Sequence, residues 1–367
     1  MDAPLGLTVA PLESAEDLAT EWRQAAASWP RSFFLSWDWI GTWLATLPAG
    51  LPLFVARMRR GGNPVGLALL GVADSRQLLR APARSINLNA TGDEEFDCIA
   101  VEHNGFLCTP ADDAAFMATL GGRFVADDGR IADQLNLPGV GQTLSLPFID
   151  RNGLLHSTKA QQGFTVDLAR VAEAGGDFAS LLSANGRQQL RRTLRDFEQE
   201  GAVEISAARD TAEALRFFDA MKALHIASWA RRRQRHAFGA PYFERFHRAL
   251  ISRVFAAGSI QLLRVAVAGR DVGYLYNFRQ DGRIYAYQSG LDDADRKRRP
   301  GVLSHAMAIR FNALNGDKIY DFLAGENQLK ASFADSTYPI AWQVVRLPRL
   351  KYRLESAARH LKQRLLG

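Results

Sequence analysis

The stretch IYDFLAGENQLKASFAD, Ile319 to Asp335, places a carboxylate, Asp321, inside a short apolar run. The run breaks at Gly325 and is followed by Glu326 and Lys330. A carboxylate on a buried strand either finds a cationic partner or has its pKa raised, and acid–base chemistry uses both states. Asp321 alternates with Tyr320 and Phe322 and so points away from the face those two share. Lys330 or an arginine of the basic loop upstream is its expected partner, with a buried ion pair fixing the turn as the structural alternative. In YAYQSG, Tyr285 and Tyr287 share a strand face and Ser289 closes the strand. Phenol hydroxyls there would donate to an oxyanion or protonate a leaving group, where ordinary strand packing would give them no chemistry. His225 and Trp229 stand one helical turn apart, and His225 is a base, a substrate contact or a hydrogen-bonded structural residue.

Two basic features would handle anions. Arg187, Arg191 and Arg195 recur at i, i+4 and i+8 beside the apolar face Leu190, Leu194 and Phe197. That stripe suits an anionic acceptor, a coenzyme or RNA, or is a solvated helix face. The loop RKRRPGVLSH carries Arg296, Lys297, Arg298 and Arg299, then Pro300 and Gly301. A helix starting there offers unpaired N–H groups and a positive dipole end to an anion. The alternative is a solvated basic turn with Pro at the first helical position. In the first half, Asp97 lines a site or caps a turn. Trp37 is one of three tryptophans in SFFLSWDWIGTWL that form a core contact or a pocket wall.

The elements that must position these groups follow from periodicity. The first half reads as mixed α and β: a strand at LTVAPL, a helix from Ser14 as N-cap, a helix through the tryptophan segment, two strands around RGGNP, and a strand in EEFDCIAVEHNGF. The second half reads as the Arg-striped helix, the strand AVEISAA, and two long helices. Three strands joined by AGRD and QDGR turns follow, then the basic loop, a helix, the strand KIYDFLAG and a last strand, YPIAWQVVRL. That order predicts a mixed sheet with helices on both faces. The expected domains are 1–165 and 166–346, with a basic amphipathic helix in 347–367. Its leucines Leu350, Leu354, Leu361 and Leu365 would dock on the body or lie on an anionic membrane surface.

Composition bounds the function. With 367 residues and 47% hydrophobic, the chain can bury two cores, and 23% charged residues exclude disorder on the scale of a domain. The +6 formal charge, from 45 basic and 39 acidic residues, fits an anionic ligand at one site better than a nucleic-acid coat, so DNA is not an expected partner. Cys98 and Cys108 are too few for a disulfide framework and lack metal-ligand spacing, so no metal is expected. No leader pattern and no bilayer-length apolar run is present, which leads us to expect a soluble, cytoplasmic protein.

On SFFLSWDWIGTWL, GRQQLRRTLRDFEQEG, LHIASWARRR, VAGRDVGYLYNF and the run from YAYQSG to ASFAD, the chain resembles the GNAT acetyltransferase superfamily. Within it the chain looks most like the CelD/BcsL-like acetyltransferases of cellulose biosynthesis, relatives of the tandem-GNAT FemAB aminoacyl transferases. The resemblance implies an α/β fold of two tandem GNAT-like domains. It implies transfer of an acyl group from acetyl-coenzyme A to an amine or hydroxyl of a sugar-linked or small-molecule acceptor, in exopolysaccharide or envelope biosynthesis. Asp321, Glu326, Lys330 and Tyr287 would then be catalytic. Arg296, Arg298, Arg299, Gly301, Val302 and Ser304 would hold the donor. Arg187, Arg191, His225, Trp229, Tyr285, Ser289, Asp97 and Trp37 would meet the acceptor. The family reads DFLRGDExYK where this chain reads DFLAGENQLK, so Ala324 and Leu329 replace an Arg and a Tyr. RRPGVL stands in for the usual pyrophosphate signature. Two alternatives stay open: an aminoacyl-tRNA donor, as in FemAB proteins, and a non-catalytic binding module of an envelope-assembly system.

Overall fold

The computed structural model describes residues 4–355 apart from 30, 76–81, 142–145, 147, 150–152 and 233–235. The chain forms two units, Met1–Ala160 with Pro339–Gly367, and Gln161–Tyr338. Most of the expected tail helix lies outside the described residues; 350–355 are helical. Among the described residues no helix is long and apolar enough to cross a membrane.

The first unit contains β1 (Leu5–Pro11), α1 (Ala15–Ser28), α2 (Trp37–Thr46), β2 (Leu53–Arg60), β3 (Asn63–Ser75), β4 (Ala83–Leu88), β5 (Leu107–Cys108), α3 (Asp113–Asp127) and β6 (Gln134–Gly141). Ser14 caps α1 as expected, its hydroxyl accepting from the N–H groups of Glu16 and Asp17. The core gathers Phe106, Phe116, Leu135 and Leu137, with Phe106 stacked on Phe116 at 4.1 Å. The strand expected in EEFDCIAVEHNGF is instead a loop with one turn of tight helix at Asp97–Ile99. The cause is Asp97 itself. Its carboxylate accepts from the N–H groups of Thr91 (2.8 Å) and Gly92 (2.7 Å) and the Thr91 hydroxyl (2.9 Å), and Ala100 and His103 adopt left-handed φ of 48° and 50° that no strand tolerates.

The second unit begins within β7 (Leu155–Asp167) and continues through α4 (Leu168–Glu173), α5 (Phe178–Leu181), α6 (Ala184–Glu198), β8 (Val203–Ala207), α7 (Thr211–Arg232) and α8 (Pro241–Val254). There follow β9 (Ile260–Val267), β10 (Arg270–Gln280), β11 (Arg283–Leu291), α9 (Pro300–Leu314), β12 (Ile319–Ala324), α10 (Gln328–Phe333) and β13 (Ser336–Arg346). Its strands run in the order β7-β12-β11-β10-β9-β8. The hairpins turn where the sequence places them: Ala268 and Gly269, then Asp281 and Gly282, are all at positive φ, as two-residue hairpin loops require. One face of the sheet packs Leu275, Ile284, Tyr320 and Phe322 against α9 residues Ala306 and Ile309. The other presents Tyr276 and Phe278 to Phe218 of α7 and His247 of α8.

The sequence assigns the last strand to the second half, but from Pro339 onward β13 belongs to the first unit, pairing antiparallel with β6 from Ile340 to Arg346. Val345 joins that unit's core, so its apolar face is what commits the strand there. β7 goes unpredicted because its first half, LHSTKAQQ, is polar and exposed and shows no apolar alternation.

Candidate active site

β11 and β12 pair in parallel over only three positions, Arg283 with Ile319, Ile284 with Tyr320 and Tyr285 with Asp321. β11 then continues to Leu291 paired with β10, so the two strands part. Two features cause the parting. On β11, Tyr276 pairs with Gln288 and Asn277 with Ala286, which leaves Tyr287 as the extra residue of a β-bulge. On β12 the register with β7 shifts between Asp321 and Ala324, and Leu323 sits at a left-handed φ of 61°. A bulge re-aims the side chains beside it. Tyr287 faces α8, and the position of a Cβ on Gly290 would lie 2.1 Å from the Met221 carbonyl of α7. Leu291 turns to the opposite face, against Gly301 of α9.

Asp321 belongs to the kink in β12. It is fully buried. Its carboxylate accepts from the Arg283 guanidinium, the Tyr338 hydroxyl and the Leu323 N–H, each at 2.8 Å. The Lys330 ammonium donates to the carbonyls of Leu323 (3.3 Å) and Ala324 (2.7 Å). Two charged groups of that stretch, Asp321 and Lys330, therefore grip the same unfavourable turn from its N–H and its carbonyl sides. Arg283 on the parallel neighbour provides Asp321 with an ion pair that local sequence could not show. Glu326 is exposed in the turn beyond.

Close approach of α7 to β11 needs the bare backbone of Gly290. One turn beyond Met221, His225 is buried and its Nδ1 lies 3.0 Å from the Ser289 carbonyl. Since a carbonyl only accepts, Nδ1 carries the proton, and Nε2 is left as the acceptor whenever the ring is neutral. His225 stacks on Trp229 at 5.5 Å. Tyr287, partly exposed, holds its hydroxyl 3.2 Å from Nε2 of fully buried His247. His247 Nδ1 lies 3.2 Å from the Tyr276 hydroxyl. Burial pushes His247 well below the ordinary histidine pKa and Tyr276 well above the ordinary phenol value, so both are neutral. Tyr285 is buried beneath Arg283, whose guanidinium lies 5.9 Å from the ring. On the other face, His305 of α9 meets the Tyr320 hydroxyl at 3.0 Å. Burial, and next the Lys330 charge, bring its pKa down to about 3.

Several expected donor and acceptor contacts fall elsewhere. Arg298 is a brace: it pairs with Glu200, donates to the Asp196 carbonyl, and lies 4.3 Å from the Phe197 ring. Ser304 is fully buried on α9, with its hydroxyl at the spot a Cβ on Gly273 would need, 2.5 Å away. Val302 is half-buried among core residues. Arg187 turns back to donate to the Leu182 carbonyl at 3.2 Å. Arg191 and Arg299 are exposed, and Arg299 precedes α9 at φ 59°. The Arg296 side chain lies outside the described residues. In the first unit, Asp97 ties its loop as above, and burial raises its pKa against those hydrogen bonds. Trp37 lies over Gly41, one turn on, with the Arg23 guanidinium 5.5 Å from its ring.

His247, Tyr276, Arg283 and Tyr338 escape the sequence reading. A signal for His247 existed: in PYFERFHRALISRV it shares the buried stripe of Tyr242, Phe243, Phe246 and Leu250, where a polar residue needs a partner.

The second unit is thus a mixed sheet whose parallel strands β11 and β12 part after three paired positions. In sequence, residues 184–331 match the acetyltransferase (GNAT) domain family. The match covers most of the second unit. The fold is similar to that of FemX (TM-score 0.59, 12% identity, 96% of this chain and 99% of that one). It is also similar to a conserved protein of unknown function from Bacteroides thetaiotaomicron VPI-5482 (0.55, 13%, 92% and 100%). A tandem GNAT protein of the clavulanic acid pathway aligns at TM-score 0.46 with 14% identity, over 93% and 98% of the two chains. No curated protein matches the chain by sequence.

Proposed function

We propose that the second unit transfers an acyl group from a thioester, acetyl-coenzyme A in the simplest case, to an amine or hydroxyl of a sugar-linked or small-molecule acceptor. The observation that carries this reading is the parting of β11 from β12 at the Tyr287 bulge of a GNAT domain. The parting leaves Tyr287 and the His225-bound backbone of Ser289 at the end of β11. Nε2 of His225 takes the acceptor proton as the nucleophile attacks the carbonyl carbon. The Tyr287 hydroxyl donates to the oxygen that becomes negative. When the carbon–sulfur bond breaks, sulfur keeps the electron pair and takes the phenol proton, and the proton on His225 returns to Tyr287 through solvent. Asp321 and Lys330 act one step back, by holding the end of β12. Arg299 and the first turn of α9 at Gly301 are the groups for the donor's phosphates. Arg298 and Ser304 are withdrawn from that role, being committed to α6 and to the core. An acceptor in exopolysaccharide or envelope assembly, handled in the cytoplasm, is the setting proposed.

A second reading, an aminoacyl-tRNA donor, draws on the exposed Arg191 and Arg195 of α6. Thermal unfolding with each donor class separates the two. Coenzyme A at ~100 times its dissociation constant should stabilise the protein by about 2.7 kcal/mol, with no retention of tRNA. Retention of tRNA that falls steeply with salt, without a coenzyme A shift, would replace the thioester reading by the second. Binding of neither would leave a non-catalytic module, consistent with Leu329 standing where the family carries a Tyr, within reach of Gly301.

A further inference from the structure

His247 sits on α8 between two phenols, and the proton arrangement among the three is fixed by bookkeeping of donors. The ring is neutral and has one N–H and one bare nitrogen. In one arrangement Nδ1–H donates to Tyr276 and Tyr287 donates to Nε2. In the other Tyr276 donates to Nδ1 and Nε2–H donates to Tyr287. Tyr276 decides between them. Its side chain is fully buried against Phe218 and Phe278, and among the described residues its hydroxyl has its hydrogen bond with His247. The first arrangement strands the Tyr276 O–H in that aromatic box, at the full desolvation cost of a buried donor. The second uses every N–H and O–H between the ring and Tyr276 and leaves only lone pairs over.

We propose that His247, with Tyr276 behind it, is a positioning residue that gives Nε2–H to the Tyr287 oxygen and so presents Tyr287 as a proton donor to the reacting thioester. This rests on the acyl-transfer reading above. With its oxygen occupied by Nε2–H, the phenol O–H is directed away from α8. The received hydrogen bond also stabilises the phenolate, which makes Tyr287 a stronger acid toward a departing thiolate. The bulge supplies the geometry, since Tyr287 is its extra residue.

Ring-nitrogen NMR on the whole, donor-free protein near neutral pH tests the assignment directly. Nε2 of His247 should be the protonated, pyrrole-type nitrogen and Nδ1 the bare one. The opposite tautomer, or a doubly protonated ring, overturns the proposal. NMR titration of the tyrosine ring carbons gives a second arm, with Tyr287→Phe assigning the signal. The Tyr287 ionisation should move to higher pH in His247→Leu and return in His247→Gln, whose amide reaches the Nε2 position. A folded His247→Leu protein with an unmoved Tyr287 titration overturns it; if that variant fails to fold, the tautomer decides. With acetyl-coenzyme A and a panel of amines, Tyr287→Phe should lose about 100-fold or more in kcat with little change in KM. A wild-type protein with the assigned tautomer that transfers to no acceptor overturns the role given to Tyr287 and sinks the acyl-transfer reading, whereas the opposite tautomer with normal transfer sinks this inference alone.

Discussion

Asp321→Ala is expected to lower the stability of the fold by about 3–5 kcal/mol, the usual cost of removing one member of a buried ion pair. The change strips the carboxylate from Arg283, Tyr338 and the Leu323 N–H at once; Arg283 and Tyr338 are partly exposed and can turn toward water, whereas Leu323 is buried. It also frees Leu323, whose left-handed backbone costs of order 1–3 kcal/mol and persists only where its surroundings hold it. Asp321→Asn keeps a carbonyl acceptor and should lose less. Urea unfolding monitored by tryptophan fluorescence reads the difference as a shift of the midpoint. An Ala variant with the wild-type midpoint and a collapsed kcat would instead make Asp321 a catalytic base. Acyl transfer, if it survives in the Asn variant, should fall mainly because β12 loses its kink, not because a proton acceptor is gone.

That Asp321 would be buried and paired was legible from one line of sequence. Where its partner stands was not. Arg283 is far away in the chain and adjacent only because β11 and β12 run parallel, and parallel register leaves no local signature of the kind that AGRD and QDGR give to hairpins. The same division holds elsewhere in the second unit. The order of helices and strands and the helix after the basic loop follow from periodicity and turn residues. The bulge at Tyr287 does not, because a bulge is a relation between two strands and neither YAYQSG nor GYLYNF announces it. The contacts of Arg298 are illegible for a related reason: a basic run at a helix start looks alike whether its side chains meet phosphate or a neighbouring helix. Only the approach of Phe197 and Glu200 to Arg298 distinguishes the cases. Asp97 followed its local chemistry, an acidic residue collecting backbone N–H groups, and no charge pattern separates such a fastener from a ligand.

Acid should weaken this protein well above the pH at which ordinary carboxylates titrate. His247 and His305 both lie below the unfolded histidine value near 6.5, His247 well below and His305 at about 3, in each case chiefly through burial. Below pH ~6.5 the unfolded chain binds a proton at each position that the folded protein refuses. The stability these residues contribute is therefore complete above that pH and is lost as pH falls through the window beneath it. Each refused proton gives a slope of about 1.4 kcal/mol per pH unit, so the pair gives up to about 2.7 kcal/mol per unit. Against a typical domain stability of 5–15 kcal/mol, one and a half units is a large loss. Carboxylates held low by partners, such as Asp112 by Thr109 and Arg60 and Glu244 by Lys222 and Arg248, begin to matter only nearer pH 4. Asp97, raised by burial, acts in the opposite sense near its own range. Urea midpoints between pH 7 and pH 5 thus report the histidines with little interference. His247→Gln should remove about half of the slope, because its amide keeps a hydrogen bond to Tyr287 and takes up no proton. A midpoint that stays level over that interval in the wild-type protein would mean that at least one ring accepts a proton in place. For His247, that would break the polarity of the Tyr276–His247–Tyr287 chain on which the donor role of Tyr287 depends.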